Sequence, residues 1–300
     1  MHLTLRQLQC FSAVAKNLSY TRAAEELHLT QPAVSMQIRQ LEQQAGLALT
    51  EQFGKKVHLT EAGTEVYRYA RSILQQVDEM DDVLDKLKGF AGGRLKIAAI
   101  SSANYFAPRL LGTFQQRFPE VSVSMDVTNQ KAVLRQVIDN EVDMAIMGQP
   151  PKDSHVEAIA FMENPLVIVA PPEHRLAKRK RIAQKELEEE VFLVREPGSG
   201  TRGAMERFFR EQKLKLTTGM GMGSLTSIKQ GVQAELGLGL LPRGAVRLEL
   251  QLGHLVELKV KGLPIQRHWY VVLHKGKRLS LAAEEFKSLL IDEAVDLLED

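Results

Sequence analysis

The residues best suited to chemistry are polar or small side chains on one face of a predicted helix that begins near Gln31. Gln31 and Ser35 carry an amide and a hydroxyl, and Arg39 carries a guanidinium. These are the groups that contact base edges and phosphates in the major groove of duplex DNA. Pro32 and Met36 complete this outward face. The alternative is an ordinary helical hairpin with a solvated polar face.

Two short helices joined by a tight turn are predicted to position this face. The first covers 21–27, and the Thr30 hydroxyl is predicted to cap the second. The inward positions of the second helix recur at helical spacing and are Val34, Ile38 and Leu41. A preceding helix, which opens with Thr4 and Gln7 as a capping box, is predicted to form the third side of the core.

A β-hairpin is predicted between Gly46 and the LTEAG sequence, with its turn at 53–56. Such a hairpin next to a helix-turn-helix unit forms a wing. Lys55 and Lys56 at its tip are predicted to lie on phosphates or in the minor groove. A solvated basic loop is the alternative.

A long helix is predicted from Glu61 to the Ala91–Gly93 hinge. Its apolar residues repeat every three and four positions, as a helix that pairs with a like partner requires. The predicted dimerisation residues are Val66, Ala70, Ile73, Val77, Met80, Leu84 and Leu87. The alternative is an amphipathic helix that lies on its own domain. Two joined copies would need a DNA site with two-fold symmetry.

From Arg94 onward, strands and helices alternate, which predicts an α/β region. Because late strands commonly return to an earlier sheet, two lobes are expected, about 94–164 with 266–300, and about 165–265. The predicted domains are 1–60 for the winged helix-turn-helix, 61–91 for the linker dimerisation helix, and 92–300 for effector binding and oligomerisation. A ligand cleft is expected between the lobes.

Composition narrows the functional classes. The chain has 300 residues, 44% of them hydrophobic and 25% charged, as in a soluble globular protein. The formal net charge is only +2, so DNA binding must depend on local arrangement. Cys10, the single cysteine, is predicted to be a buried hydrophobe. Neither a membrane-spanning run nor a signal pattern is found, and a cytoplasmic location is expected.

The segment TRAAEELHLTQPAVSMQIRQLEQQAG, followed by LTEAG and a long helix, resembles the N-terminal domain of LysR-type transcriptional regulators. The remainder resembles the two-lobed, periplasmic-binding-protein-like α/β effector domain of that family. The implied fold is an all-α winged helix-turn-helix with a linker helix, followed by that domain. The implied protein is a homotetrameric activator, a dimer of dimers, that binds double-stranded promoter DNA and responds to a small molecule. RNA polymerase is a further expected partner, and no membrane is.

The resemblance places DNA contacts on the recognition helix and the wing. With the residues flanking them, the predicted contacts are Thr21, Arg22, Thr30, Gln31, Pro32, Ser35, Met36, Arg39, Lys55 and Lys56. The family usually carries Phe where this chain has Thr50, and a basic residue where it has Gln52. These departures bear on wing packing and contacts. The phrase LVREPGSGTR resembles the carbon-fixation (RuBisCO-operon) regulators, which implies a phosphorylated metabolite or nucleotide as effector.

An anion site is predicted where GSGTRG follows a strand and opens a helix, because free N–H groups at a helix N-terminus bind negative charge. Other polar residues follow the strands of the same region and are expected at one sheet edge. For each, helix capping or turn formation is the alternative, and for Arg195 a structural salt bridge is. The predicted effector residues are Ser101, Ser102, Thr128, Asn129, Gln149, Arg195, Ser199, Thr201 and Arg202.

Catalysis is not expected, since the histidines lack metal spacing and no nucleophile motif is present. No metal and no cofactor besides the effector are predicted. One alternative is a solute-binding protein of the same two-lobed fold, against which residues 1–60 argue. A nucleotide-using enzyme is another, since GSGTRG formally matches a dinucleotide motif. No acidic residue follows it at about 20 residues to hold a ribose, which argues against that function.

Overall fold

The structure is a computed structural model that describes residues 3–54, 56–87, 92–150 and 155–299, without the side chains of 78, 79, 81–83, 85–87 and 299. The chain divides into two compact units, Met1–Phe90 and Ala91–Asp300. Within the described ranges, every helix is either too short or too polar to span a lipid bilayer.

The first unit contains four helices and one hairpin in its described part. They are α1 (Leu5–Asn17), α2 (Tyr20–Glu26), α3 (Gln31–Ala45), β1 (Thr50–Phe53), β2 (Lys56–Leu59) and α4 (Glu61–Leu87). The predicted capping box of Thr4 and Gln7 opens α1, and Thr30 caps α3 as predicted. Helix α2 begins one residue earlier than expected because the Ser19 hydroxyl accepts the Arg22 N–H.

The core of the first unit confirms the predicted helical spacing. Val34, Ile38 and Leu41 are each at most 1% exposed. They pack with α1, with the middle of α2 and with residues of the wing. The hairpin of β1 and β2 is antiparallel. The polar side of α3 is therefore directed away from the core.

The second unit alternates strands and helices as predicted. Its elements are β3 (Gly93–Ile100), α5 (Ala107–Arg117), β4 (Val121–Thr128), α6 (Gln130–Ile138), β5 (Met144–Met147), β6 (Val156–Glu163), β7 (Leu166–Ala170), β8 (Val191–Arg195), α7 (Gly200–Glu211), β9 (Thr217–Met222), α8 (Leu225–Gln233), β10 (Leu238–Pro242), α9 (Arg247–Gln251), β11 (Val256–Glu257), β12 (His268–His274), α10 (Leu281–Ser288) and α11 (Ala294–Glu299). The acidic segment Gln184–Glu189 is a 3₁₀ helix, and Leu289–Glu293 is a π-helical turn that interrupts the expected final helix.

These elements form two five-stranded sheets, of order β4-β3-β5-β12-β6 and β11-β7-β10-β8-β9. Strand β12 returns to the first sheet, as expected of a late strand. The first three strands are parallel, as predicted, whereas β12 runs antiparallel to both its neighbours. We call the first sheet with its helices the first lobe, and the second sheet with its helices the second lobe.

Helices cover both faces of each sheet. In the first lobe, α5 and α10 pack on one face through Phe114 and Phe286, and α6 packs on the other through Val133. In the second lobe, α7 and α8 cover opposite faces through Phe209 and Ile228. This layered packing fixes the carboxyl ends of β3, β5 and β8, where the polar residues lie.

Candidate functional sites

The start of α3 presents the predicted DNA contacts to solvent. Gln31, Pro32, Met36 and Arg39 are exposed, and Ser35 is half-buried. Gln31 Nε2 donates to Ser35 Oγ at 2.9 Å, so the two predicted base contacts lie on one patch. Thr21, Arg22, Thr30 and Lys56 are also exposed. Lys55 lies outside the described residues.

The wing is attached to α3 through Thr50, one of the two departures from the family pattern. The Glu42 carboxylate accepts the N–H groups of Leu49 and Thr50 at 2.8 and 3.0 Å, and also the Thr50 hydroxyl. The Thr50 hydroxyl lies 2.9 Å from the Tyr20 hydroxyl. Burial raises the pKa of Tyr20. Hydrogen bonds therefore take the place of the apolar contact that the family pattern predicts at this position.

The predicted dimerisation residues of α4 fall into two groups. Ala70 is 1% exposed, and Val66 packs against the core of its own unit. Ile73, Met80 and Leu84 are 39%, 54% and 43% exposed, and Val77 is half-buried. The side chain of Leu87 lies outside the described part. Free apolar surface is thus concentrated beyond Ala70, whereas Val66 and Ala70 already serve packing within the unit.

A polar cleft of about 620 Å³ lies where the two lobes meet in the second unit. Of the nine predicted effector residues, Gln149, Ser199 and Arg202 line it. The other polar lining residues are Gln130, Glu206, Arg207 and Arg267. The start of α7 forms one wall. Three arginines and one glutamate give the cleft a positive balance.

The remaining predicted residues have local structural contacts. Asn129 caps α6 by accepting the Ala132 N–H, and Thr128 ends β4. Ser102 and Thr201 are buried. The Arg195 guanidinium, 3% exposed, makes a two-fold contact with the Glu196 carboxylate and donates from Nη2 to Ser101 Oγ at 2.9 Å. Arg195 therefore joins the two lobes with its charge already compensated.

Arg267 differs from Arg195 in having no carboxylate partner among the described residues, although each guanidinium has one buried nitrogen without a hydrogen bond there. Its Nη1 donates to the Gly200 carbonyl at 3.1 Å, and its buried Nε has no hydrogen-bond partner among the described residues. Burial, followed by the nearby charge of Arg207, lowers the pKa of Arg267. A Cβ at Gly148 would lie 2.9 Å from Arg267 Nη2, so a side chain at this position would displace the end of the guanidinium.

The charge of this cleft is incompletely balanced. Arg202 is paired with Glu206 at 2.7 Å. In the described part of the chain, neither Arg207 nor Arg267 has a carboxylate partner. Ser199 stands at the N-cap of α7 without a side-chain hydrogen bond to the helix, so the first N–H groups are not capped by it. Two uncompensated cations beside a helix N-terminus suit an anionic ligand.

Two family models cover nearly the whole chain. Residues 5–64 match the bacterial regulatory helix-turn-helix protein of the lysR family, and residues 88–295 match the LysR substrate binding domain. The chain belongs to the LysR family. It is a LysR-type transcriptional regulator with a DNA-binding unit and an effector-binding unit.

Relatives of this LysR-type regulator agree with the subgroup that the sequence predicted. The RuBisCO operon transcriptional regulator of Allochromatium vinosum is 51% identical over 98% of this chain and 97% of its own. CbbR of Rhodospirillum rubrum is 45% identical over 95% of each chain. The solved regulatory domain of CcmR from Synechocystis PCC6803, in complex with 2-PG, is 36% identical with a TM-score of 0.64, over 66% of this chain and 96% of that one.

Sequence reasoning missed Gln130, Arg207 and Arg267 of this LysR-type regulator. Gln130 follows the predicted Asn129, and its Nε2 donates to the Gln149 carbonyl at 3.3 Å. Arg267 lies 67 positions after Gly200, between two strands of different sheets. The signal that could have drawn attention to it is its place at a crossing between lobes, since such crossings border the cleft in two-lobed folds.

Proposed function

We propose that this LysR-type regulator controls carbon-fixation genes and responds to a phosphorylated two- or three-carbon acid bound in the polar cleft. Its relatives are named for the RuBisCO operon, and the CcmR regulatory domain binds 2-PG, 2-phosphoglycolate. The protein acts by binding, without catalysis. Because its target is promoter DNA, we place it in the cytoplasm.

The observation that carries the effector assignment is the uncompensated charge of Arg267 and Arg207 next to the N-terminus of α7. A phosphate group offers two negative charges and several acceptor oxygens, which match two guanidinium groups and free N–H donors. A neutral sugar would leave both cations unbalanced.

The cleft also suggests how a ligand alters the regulator. Gln130 and Gln149 belong to the first lobe, whereas Ser199 and Arg202 belong to the second. A ligand that contacts both lobes stabilises one relative arrangement of them over others. We propose that the favoured lobe arrangement alters the structure of the assembled oligomer and so changes its affinity for DNA.

For the DNA-binding unit, we propose that α3 enters the major groove with Gln31 and Ser35 on base edges, while Lys56 lies on phosphate. Two chains then pair along α4 through Ile73, Met80 and Leu84, which are the exposed apolar residues of its seam. Two such dimers form a tetramer. RNA polymerase remains a predicted partner without assigned residues.

The effector assignment is tested by calorimetric titration of the full-length protein with 2-phosphoglycolate and with glycolate, which lacks the phosphate. We expect saturable binding of 2-phosphoglycolate and none of glycolate in the same range. Arg267→Ala is expected to weaken binding by about 10- to 100-fold, the contribution of a charge-assisted contact. Arg210→Ala, which removes an exposed arginine of α7 outside the cleft, is the matched control.

Equal binding of both ligands, or unchanged binding after Arg267→Ala, would contradict the assignment. The gene target is tested separately by gel shift with DNA upstream of the RuBisCO operon from the same genome. Preference for this DNA over an unrelated fragment of equal length supports the target. Equal affinity for both fragments removes the carbon-fixation assignment, whatever the effector result.

A further inference from the structure

A second pocket, of about 780 Å³, lies in the second unit away from the lining of the polar cleft. This volume is within the range of small-molecule sites, about 300–1,000 Å³. Much of its wall is apolar. The apolar residues include Tyr105, Phe106, Met162, Leu250, Val295 and Leu298.

Both lobes contribute walls to this pocket. Tyr105 follows β3 of the first lobe, and Gly244 follows β10 of the second. The two are in close contact, since a Cβ at Gly244 would lie 2.8 Å from the Tyr105 ring. Arg247 of α9 donates from Nη1 to the Leu298 carbonyl of α11 at 2.9 Å. An occupant would therefore touch both lobes, as we propose for the effector in the polar cleft.

Tyr105 offers a hydrogen-bond donor to this pocket. Its hydroxyl oxygen accepts the Trp269 indole N–H at 3.3 Å. Burial of this end of the ring raises the pKa of Tyr105 to about 12, although 37% of the residue as a whole is exposed. The hydroxyl thus keeps its proton at physiological pH. Within the described part of the chain, that O–H has no acceptor.

The charges around the pocket are unequally paired. Lys229 contacts Glu249 at 2.6 Å, and Arg243 contacts Glu257 at 2.9 Å, so both of these lining cations are paired; Lys259 also contacts Glu257, at 3.2 Å. Three further lining residues have no ion-pair partner among the described residues; they are Arg109, Arg247 and Glu163. Two cations against one carboxylate leave the pocket with a net positive charge beside an apolar interior.

We propose that this pocket is a second effector site, which binds a small organic carboxylate with an apolar body, such as an aromatic or medium-chain acyl acid. The apolar body lies against the aromatic and aliphatic wall. The carboxylate accepts from Arg109 or Arg247 and from the Tyr105 hydroxyl. The phosphorylated ligand of the polar cleft, by contrast, carries little apolar surface and does not suit this lining.

The two pockets are joined by the crossings between lobes. Glu163 and Pro165 line the apolar pocket, and Arg267 lines the polar cleft. Between them, the Asn164 N–H donates to the Arg267 carbonyl at 2.7 Å. A ligand that shifts one crossing therefore acts on the other. By linkage, any effect of the carboxylate on phosphate-ligand affinity must be matched by the reciprocal effect.

Calorimetric titration of the full-length protein with 2-naphthoate, and with octanoate, tests this site. We expect saturable binding of at least one of the two at one molecule per chain. The neutral 2-naphthamide is expected to bind about tenfold more weakly than 2-naphthoate, because it lacks the charge. Arg109→Ala and Arg247→Ala should each weaken carboxylate binding by about three- to tenfold. Arg210→Ala is the control, with unchanged binding.

The polar-cleft variant Arg267→Ala separates this proposal from the effector assignment. It should retain carboxylate binding while it loses 2-phosphoglycolate, so either site can fail alone. Absence of saturable binding by both carboxylates overturns the proposal. So does equal affinity for 2-naphthamide, or loss of carboxylate binding in Arg267→Ala alone, which would place the ligand in the polar cleft. A drop in sedimentation mass on Arg109→Ala or Arg247→Ala would show that a second copy covers the pocket, which also overturns it.

Discussion

Two helix N-termini in this LysR-type regulator are built in opposite ways. At the start of α3, the Thr30 hydroxyl accepts the Ala33 N–H at 3.4 Å, so the backbone is capped from within. At the start of α7, the Ser199 side chain makes no such bond, and the backbone N–H groups face a cleft with Arg267 beside them. The N-terminus of α3 presents side chains, whereas the N-terminus of α7 presents main-chain N–H donors.

The difference follows from the size of the partner. In the proposed function, long duplex DNA is contacted by a protruding helix, so the side chains that project from α3 would have to distinguish one base pair from another. The proposed effector, a small phosphorylated acid, would fit inside a concave site, where main-chain donors and the Arg267 guanidinium would surround it. In the proposed function, the N-terminus of α3 therefore serves sequence recognition, and the N-terminus of α7 serves charge recognition.

The largest expected effect that tests this contrast is on DNA specificity. Gln31→Ala and Ser35→Ala should each cost about 1–3 kcal/mol of binding to the specific site, since each removes a base contact. Binding to unrelated DNA should change little, and 2-phosphoglycolate affinity should stay as in the unaltered protein. Quantitative gel shifts on both DNA fragments provide the measurement. An equal loss on both fragments would mean that these side chains do not contact bases.

A smaller effect distinguishes the two caps directly. Thr30→Ala should lower the free energy of local opening at the first turn of α3 by about 1 kcal/mol, because it removes a cap. Ser199→Ala should change the first turn of α7 by less than about 0.5 kcal/mol, because no cap is lost there. Hydrogen exchange of the first-turn amides, followed in the full-length protein, measures both. A comparable loss of free energy at the two first turns would show that the N-termini of α3 and α7 do not differ in capping.

The smallest effect concerns the wing. Lys56→Ala should weaken binding uniformly across sequences and reduce the salt slope of log affinity by about 1, as expected for one phosphate contact. Titrations at several salt concentrations on specific and unrelated DNA measure this slope. Glu51→Gln changes charge on the neighbouring strand and serves as a matched control. An unchanged slope in Lys56→Ala would leave this lysine as a solvated residue of the hairpin.

The fold of the DNA-binding unit was predictable because the residues that form its helix cap and its buried face are close in sequence. The cap at Thr30 and the buried positions Val34, Ile38 and Leu41 lie within one helix, so periodicity alone locates the outward face. The packing of Thr50 in β1 was not predictable, since it depends on Glu42 of α3 and Tyr20 of α2. Pattern identifies a helical face, whereas a hydrogen-bond network requires coordinates.

The effector cleft was only partly predictable, for the same reason. Polar residues after strands indicated the sheet edge at which the polar cleft lies, and Gln149, Ser199 and Arg202 line this cleft. Arg195 had the right chemistry, but its guanidinium is paired with the adjacent Glu196. Sequence does not fix the direction of that carboxylate. Arg267 enters from a crossing segment that has no periodic signal, and only tertiary structure brings it to Gly200.

The position of β12 has a consequence for biosynthesis. This strand sits between β5 and β6, yet the whole second lobe precedes it in the chain. During translation, β5 and β6 therefore each have one unpaired edge, the edge that β12 later occupies, until the ribosome has passed His274. Unpaired strand edges can form hydrogen bonds with non-native strands or with other chains. A nascent chain stalled within the second lobe should thus be a target for chaperones, while the DNA-binding unit, made entirely from early residues, is free to fold at once.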